Sequence, residues 1–513
     1  MRIEYIGHAC LSIETGDLKI ATDPWFKGPA YCGQWNIFPK PVSTASLSNA
    51  QLILYSHGHE DHFHVPSLLE LPRTARVLYP YTWYGGIKPY LSELGFPHAE
   101  EAPTHKTIQV SPKTAVTYIV NNLDSIVVIE SEGRVFVNVN DALHSYPARI
   151  VEVFLRYIRS RWPRIDVVFS GFGGASFFPN CVHCEGKNDV EIAEAREQMF
   201  VHAFCRIVHD LKPRVAVPFA ADFVLLHPNQ HWINKARFPR SRMSEYYREI
   251  YGEQVGAPRI EVMYPGDILA GDELLPLSPY RNQLCSGGLL HLMDEQYRDE
   301  IAALQQPRWI GEEEVLSLEK ELLHNLRMRQ QFFDPKVLNK IEFSLRLTDV
   351  AERPYLNVSL KSGEPRIERS SARSQNAILQ IEIRSDILRY SFASDWGGDA
   401  ITIGYGCEVH AFDQATIDEA LDSTCVQLLT RIPFASRHWR REPIRMAQYV
   451  LSSPINRGWA KQAALNRFGH RKAASSDNND RLREWLFRTK CEVCKACDLP
   501  MLDERFAEAV SSN

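Results

Sequence analysis

The chain has no uninterrupted apolar run approaching the roughly 20 residues of a membrane span, so the sequence offers no transmembrane segment. Its opening residues, Met1-Arg2-Ile3-Glu4-Tyr5, alternate like a strand. They lack the charged stretch followed by a long apolar stretch that marks a secretion signal. Basic residues are not in surplus: 58 Lys and Arg stand against 63 Asp and Glu, a net charge of −5. That balance removes any global electrostatic case for nucleic acid. These absences predict a cytoplasmic location, and the eleven cysteines are then expected to be reduced. Clustered cysteines in that setting suit metal better than disulfides.

What is present reads as a soluble globular chain, 44% hydrophobic and 24% charged, in line with ordinary domains. Its 513 residues allow two to four domains. Residues 1–280 alternate strand-like runs (Ile3–Ile6, Lys19–Ala21, Leu52–Tyr55, Val77–Tyr79, Ser125–Glu130, Arg134–Val139, Asp166–Phe169, Val215–Val217) with helical ones. In Asn188–Leu211, apolar residues recur at helical spacing. Such alternation predicts sheets covered by helices. Residues 281–335 read as a helical linker with Glu312–Arg329 its clearest helix, and 336–430 as a small α+β module. Residues 431–513 form a basic region that ends in a cysteine-containing tail.

The most informative stretch is His57-Gly58-His59-Glu60-Asp61-His62, directly after the apolar run Leu52–Tyr55. A strand end fixes the backbone while the loop frees side chains to converge, which suits metal ligands. Alternation allows His57, His59 and Asp61 to share a face, with His62 directed elsewhere. The segment therefore has room for two neighbouring ions.

This HxHxDH pattern resembles that of the metallo-β-lactamase superfamily. Gly7-His8-Ala9, Thr22-Asp23-Pro24-Trp25-Phe26-Lys27-Gly28-Pro29-Ala30, Ser170–Pro179 and Leu211-Lys212-Pro213-Arg214 through His227-Pro228 are similar to segments of the catalytic region of CMP-N-acetylneuraminate hydroxylases. The resemblance covers roughly the first 270 residues. It implies an α/β fold, an αββα sandwich over 1–280, followed by the smaller α+β region. It also implies that His57 and His59 serve one metal, Asp61 and His62 the second, Asp141 bridges both, and His227 completes the second, with His231 as runner-up. Asp61, His8 and Asp23 are the catalytic candidates. His8 and Asp23 equally suit the role of groups that orient ligands. The superfamily's third site-one histidine, expected just before Ser125–Glu130, is replaced by Asn121 and Asn122; His144 and His105 are substitutes away from the matching position.

Two chemistries follow. One is a metal-dependent oxygenase, with non-haem iron and outside electrons, acting on a small polar or nucleotide-linked substrate. The other is a di-metal hydrolase of phosphodiester, ester or lactone bonds that uses a metal-bound hydroxide. Iron, zinc and manganese all suit these ligands. The resembling hydroxylases carry a Rieske domain before the metal fold, and this sequence, read as starting the fold at residue 1, is expected to lack one. Cys491, Cys494 and Cys497 offer an iron–sulfur cluster or a structural zinc, and with it a route for electrons or a contact for an electron-transfer partner. Cys181-Val-His183-Cys184 reads as a free loop or redox-sensitive thiols, because three ligands in four residues do not close readily on one ion.

Overall fold

A computed structural model describes residues 1–431 except 81–86, 122–123, 145–147, 174–181, 185–187, 412–423 and the single positions 254, 307, 334, 353, 362 and 395. Beyond 431 it describes only isolated positions between 447 and 457. The cysteine tail at Cys491, Cys494 and Cys497, and every basic residue of the basic region except Arg431 and Arg457, lie outside the described residues.

The first half is built on two facing sheets. One has eight strands in the order Glu273–Leu275, Ile268–Ala270, Arg2–Gly7, Cys10–Glu14, Lys19–Thr22, Leu52–Leu54, Arg76–Pro80, Ala99–Ala102. The other has seven: Arg259–Ile260, Val215–Phe219, Val167–Gly171, Arg134–Asn140, Asp124–Ser131, Thr114–Asn121, Thr107–Gln109. The apolar runs of these strands are explained by burial on both faces, since each strand alternates between two cores. Leu52 and Leu54 meet Val127 and Ile129 between the sheets. Ile53 and Tyr55 instead pack outward beneath the helices Val65–Leu68 and Ile87–Glu93. Ile126 and Val128 pack outward under the helices Ala148–Arg161 and Asp189–Leu211. The layers are therefore helix, sheet, sheet, helix. Asn188 caps the last helix by accepting from the backbone N–H groups of Val190 and Glu191, as expected of an asparagine at that position.

The second half has a six-stranded sheet in the order Val182–Cys184, Cys407–Ala411, Leu379–Ile383, Glu342–Leu347, Tyr355–Ser359, Arg366–Ser370. One face is buried under the helices Glu312–Arg329, Ser385–Ala393 and Thr424–Leu429. The segment 281–335 packs in two directions. Leu292, Met293 and Tyr297 sit against Phe38, Val224 and Leu226 of the first half. Val315, Leu318, Leu322 and Leu326 lie in the core of the second.

One expectation is corrected here. Val182–Cys184, read as part of a free loop, is an edge strand of the C-terminal sheet, parallel to Cys407–Ala411. Its partner strand lies more than two hundred residues away, so local sequence could not reveal the pairing. Among the described residues, no helix is long and apolar enough to cross a membrane.

Candidate metal centre

The strand Leu52–Leu54 runs parallel to Lys19–Thr22 and Arg76–Pro80, and the ligand-rich loop leaves its C-terminal end. The backbone N–H groups of His62 and Phe63 both donate to the carbonyl of His59, at 3.0 and 2.7 Å. That turn folds His62 under the loop. Two groups of ligand atoms result, each within 4.8 Å: His57, His59 and Asp141; and His8, Asp61 and His62. Asp141 follows the strand Arg134–Asn140, and its Oδ2 stands 3.9 Å from His57 Nε2 and 3.5 Å from His62 Nε2. It thus faces both groups. His8, Asp61 and His62 are buried, whereas His59 and Asp141 are half-buried, so the centre opens on their side.

The electrostatics follow from packing charges with imidazoles out of water. Burial alone would raise Asp61, yet the His62 charge and the contacts to His62 and His8 hold its carboxyl well below the ordinary range. Burial opposes charge on His62, but Asp61, Asp141 and Asp23 push it well above the ordinary value. Burial, and the neighbouring His62 and His59, push His57 well below. His62 Nε2 is buried and has no hydrogen-bond partner. A buried orphan nitrogen beside two carboxylates fits a metal ligand, and the donor set suits a divalent ion.

Several side chains hold these ligands. Asp23 accepts from the backbone N–H of Ser56 at 2.7 Å and from the amide of Asn140, and its Oδ2 lies 3.5 Å from His62 Nδ1. It is fully buried, behind His62. Three non-glycine residues at the centre, His8, Asp23 and Asn140, adopt left-handed backbone at φ 53°, 36° and 51°. Such strain persists only where the surroundings enforce it. For His8 the enforcer is Asp222, which accepts from the His8 backbone N–H at 3.0 Å and from the Tyr5 hydroxyl and the Arg240 guanidinium. The resulting turn aims His8 Nε2 at Asp61 Oδ2, 2.9 Å away. Tyr31 donates to the other Asp61 oxygen.

Of the expected residues, the structure brings together His57, His59, Asp61, His62 and Asp141, and adds His8 as a group of ligand type. It does not bring His227 to the centre. After the strand Val215–Phe219 the chain turns at Ala220 and spends Asp222 behind His8. His227 then pairs with Asn229 and feels Arg384 and Asp386 of the C-terminal half. His231 begins a short helical turn and is in neither group. His105 packs edge-on against Tyr157, 4.8 Å between centroids. His144 Nδ1 comes within 3.9 Å of Asp141 Oδ1.

One acidic residue near His57 had no signal in the sequence. Asp124, at the start of its strand, has Oδ1 3.9 Å from His57 Nε2. Asn121 instead donates to the carbonyl of Ala142 at 2.6 Å.

The C-terminal half also reaches the centre. Trp396 bonds to Gly58, between the first two histidines, and Tyr390 reaches Glu60. Asp399 is the leading charged neighbour of His59: burial would lower His59, and Asp399, then Asp124, holds it above the ordinary value. Burial pushes Glu60 up to about 7, although the Tyr31 N–H and the Tyr390 hydroxyl oppose the rise.

A helix–sheet–sheet–helix sandwich with imidazole and carboxylate groups converging at its strand ends is the metallo-β-lactamase fold. Residues 2–137 match the family described as "Beta-lactamase superfamily domain". More particularly, the chain is similar to the cytidine monophosphate-N-acetylneuraminic acid hydroxylase of Mus musculus, 27% identical over 251 residues, which cover 46% of this chain and 41% of that protein. The Danio rerio hydroxylase is 24% identical over 258 residues, covering 47% and 41%. The chain thus spans less than half the length of these curated relatives. Similar solved structures include CmlA, a diiron β-hydroxylase from Streptomyces venezuelae, at 18% identity, TM-score 0.36 and 54% of each chain. Igni18, a metallo hydrolase from Ignicoccus hospitalis, matches at 16% identity and TM-score 0.35, over 54% of this chain and 99% of that one.

Proposed function

We propose that this protein is a metal-dependent hydroxylase that holds two iron ions, His57, His59 and Asp141 serving one and His8, Asp61 and His62 the other, with Asp141 shared. The observation that carries this reading is the position of Asp141 between the two ligand groups, 3.9 Å from His57 and 3.5 Å from His62. Similarity to hydroxylases of a sugar nucleotide supports oxygenation and a small polar substrate. Iron in such a centre supplies activation of dioxygen, given electrons from outside. A separate donor protein or a cluster at Cys491, Cys494 and Cys497 would provide them.

The chain's own residues do the rest. Asp222 and Tyr5 fix His8; Asp23 and Asn140 fix His62; Tyr31 holds one oxygen of Asp61 and leaves the other toward His8 and His62. Trp25, stacked edge-on to His8 at 5.0 Å, and the buried Trp35 keep bulk water from that side. Substrate enters beside the half-buried His59 and Asp141.

A second reading is hydrolysis with zinc or manganese, which lower the pKa of water. The carboxylate Asp124, in place of an imidazole near His57, favours it, because oxygen ligands suit manganese.

Metal analysis of protein purified without chelators separates the two. Iron near two per chain, with oxygen uptake on adding a reductant, supports the hydroxylase. Zinc or manganese with phosphodiesterase turnover supports the hydrolase. If His59→Ala and Asp61→Ala both keep full metal content, the ligand assignment is wrong.

A further inference from the structure

The outer face of the C-terminal sheet carries a second convergence of ligand types, produced by strand register. Glu382 and Glu408 are direct cross-strand partners, and His410 is paired with His183 on the next ladder. Ile381, Ile383, Cys407, Val409 and Val182 point into the core. The two-residue period therefore puts Glu382, Glu408, His410 and His183 together on the opposite surface. One ligand atom from each of Glu382, Glu408 and His410 lies within 4.8 Å of the other two, and all three residues are half-buried. The His183 ring stacks on that of His410 at 5.2 Å, and its Nε2 lies 3.7 Å from Glu408 Oε2.

This arrangement is costly by itself. Like charges directly opposite in a sheet destabilise it, and half-burial adds to the cost. Arg346, 3.1 Å from Glu382 Oε1, and Asn229, which donates to Glu408, offset part of it. The His410 Nε2 to Glu382 Oε1 separation of 3.6 Å is too long for a hydrogen bond, and that nitrogen is buried with no hydrogen-bond partner. His183, by contrast, is held in place: its Nδ1 meets Asp189 Oδ2 at 2.7 Å, which turns Nε2 toward Glu408. A carboxylate on the far nitrogen is how metal-binding histidines are oriented.

We propose that Glu382, Glu408, His410 and His183 form a divalent-metal site of the zinc class, separate from the centre at His57–His62. Two imidazoles and two carboxylates match the ligand types and number that zinc takes. The ion joins the Val182–Cys184 strand, which belongs in sequence to the first half, to the C-terminal sheet. Its role is structural, and it stands whichever reaction the main centre performs.

The test uses the full chain, stripped with chelator, equilibrated with Zn2+, desalted and counted for zinc by mass spectrometry. Glu408→Gln and His410→Ala should each lose one equivalent relative to wild type. His57→Ala/His59→Ala should lose different equivalents and keep this one. In that double variant Zn2+ should still raise the melting temperature, and adding Glu408→Gln should shrink the shift. Melting of the stripped proteins reports whether each variant folds; Glu408→Gln preserves shape and carries the test if His410→Ala does not fold. An unchanged zinc count in folded Glu408→Gln, or a melting shift that the added substitution does not reduce, overturns the proposal.

Discussion

The indole N–H of Trp396 donates to the carbonyl oxygen of Gly58 at 2.8 Å. The acceptor sits between His57 and His59, so the C-terminal half grips the loop that presents both. Trp396 also lies against Phe63 and Tyr90, at 6.3 and 6.2 Å between centroids. Trp396→Phe keeps the ring and drops the hydrogen bond, at an expected cost of about 1 kcal/mol. Trp396→Ala removes both, at about 2–4 kcal/mol. Both should weaken metal binding at His57 and His59 more than at His8, Asp61 and His62. Denaturant melts paired with metal titration check this, and equal weakening of both halves would contradict it.

A Cβ on Gly171 would stand 3.2 Å from Asp141 Oδ1 and from the Asn140 carbonyl, and 3.4 Å from His144 Nδ1. Gly171→Ala should therefore displace the shared carboxylate. The expected result is at least a tenfold loss of metal affinity with a stability cost of about 1–3 kcal/mol. Calorimetric metal titration against wild type reads it directly.

Asp222 serves the His8 turn and neutralises Arg240, a guanidinium that burial would lower and Asp222 instead raises. Asp222→Asn leaves that charge buried and unpaired, which costs on the order of 3–5 kcal/mol. The turn at His8 also loses a charged acceptor. Urea denaturation should show the loss in stability. Metal content at moderate temperature should fall in the half that holds His8; a variant that keeps wild-type stability would show that the network carries little energy.

His64 is fully buried, with Nε2 3.2 Å from the Pro29 carbonyl and Nδ1 3.0 Å from the Ser67 hydroxyl. Burial lowers its pKa to about 4. Its folded value lies below its unfolded value, so protonation favours the unfolded chain. The contribution is fully present above about pH 6.5 and is lost as pH falls from there toward 4. By linkage it is at most about 3 kcal/mol. In chelator-treated protein, the stability difference between wild type and His64→Gln should shrink across that window. A difference that is flat with pH would show that His64 does not titrate there.

The sandwich was legible because its strands are apolar on both faces and its ligands cluster at one strand end. Leu52–Leu54, Val167–Gly171 and Glu312–Arg329 fall where periodicity puts them. Asp141, which the family resemblance placed after an apolar strand, lies between the two ligand groups. What escaped depends on tertiary neighbours. Asp124 has no motif around it, and it matters only because its strand begins beside His57. His227 matched a spacing, but the left-handed residue Ala220 and the pull of Asp222 redirect the chain before it arrives. Trp396 and Asp399 sit in the region that resembled nothing in the metal-binding family. The strand at His183 pairs across more than two hundred residues, beyond any local pattern.

Trp25, Tyr31, Trp35 and Phe223, which surround His8 and Asp61, are counted in the same buried core as the C-terminal sheet and its helices. The aromatic wall beside His8 and Asp61 is thus common property of both halves. Cut after residue 280, the first half would present this aromatic surface to water and lose the Trp396 and Tyr390 contacts to Gly58 and Glu60. Changes in the second half would therefore reshape this wall without touching a residue of either ligand group.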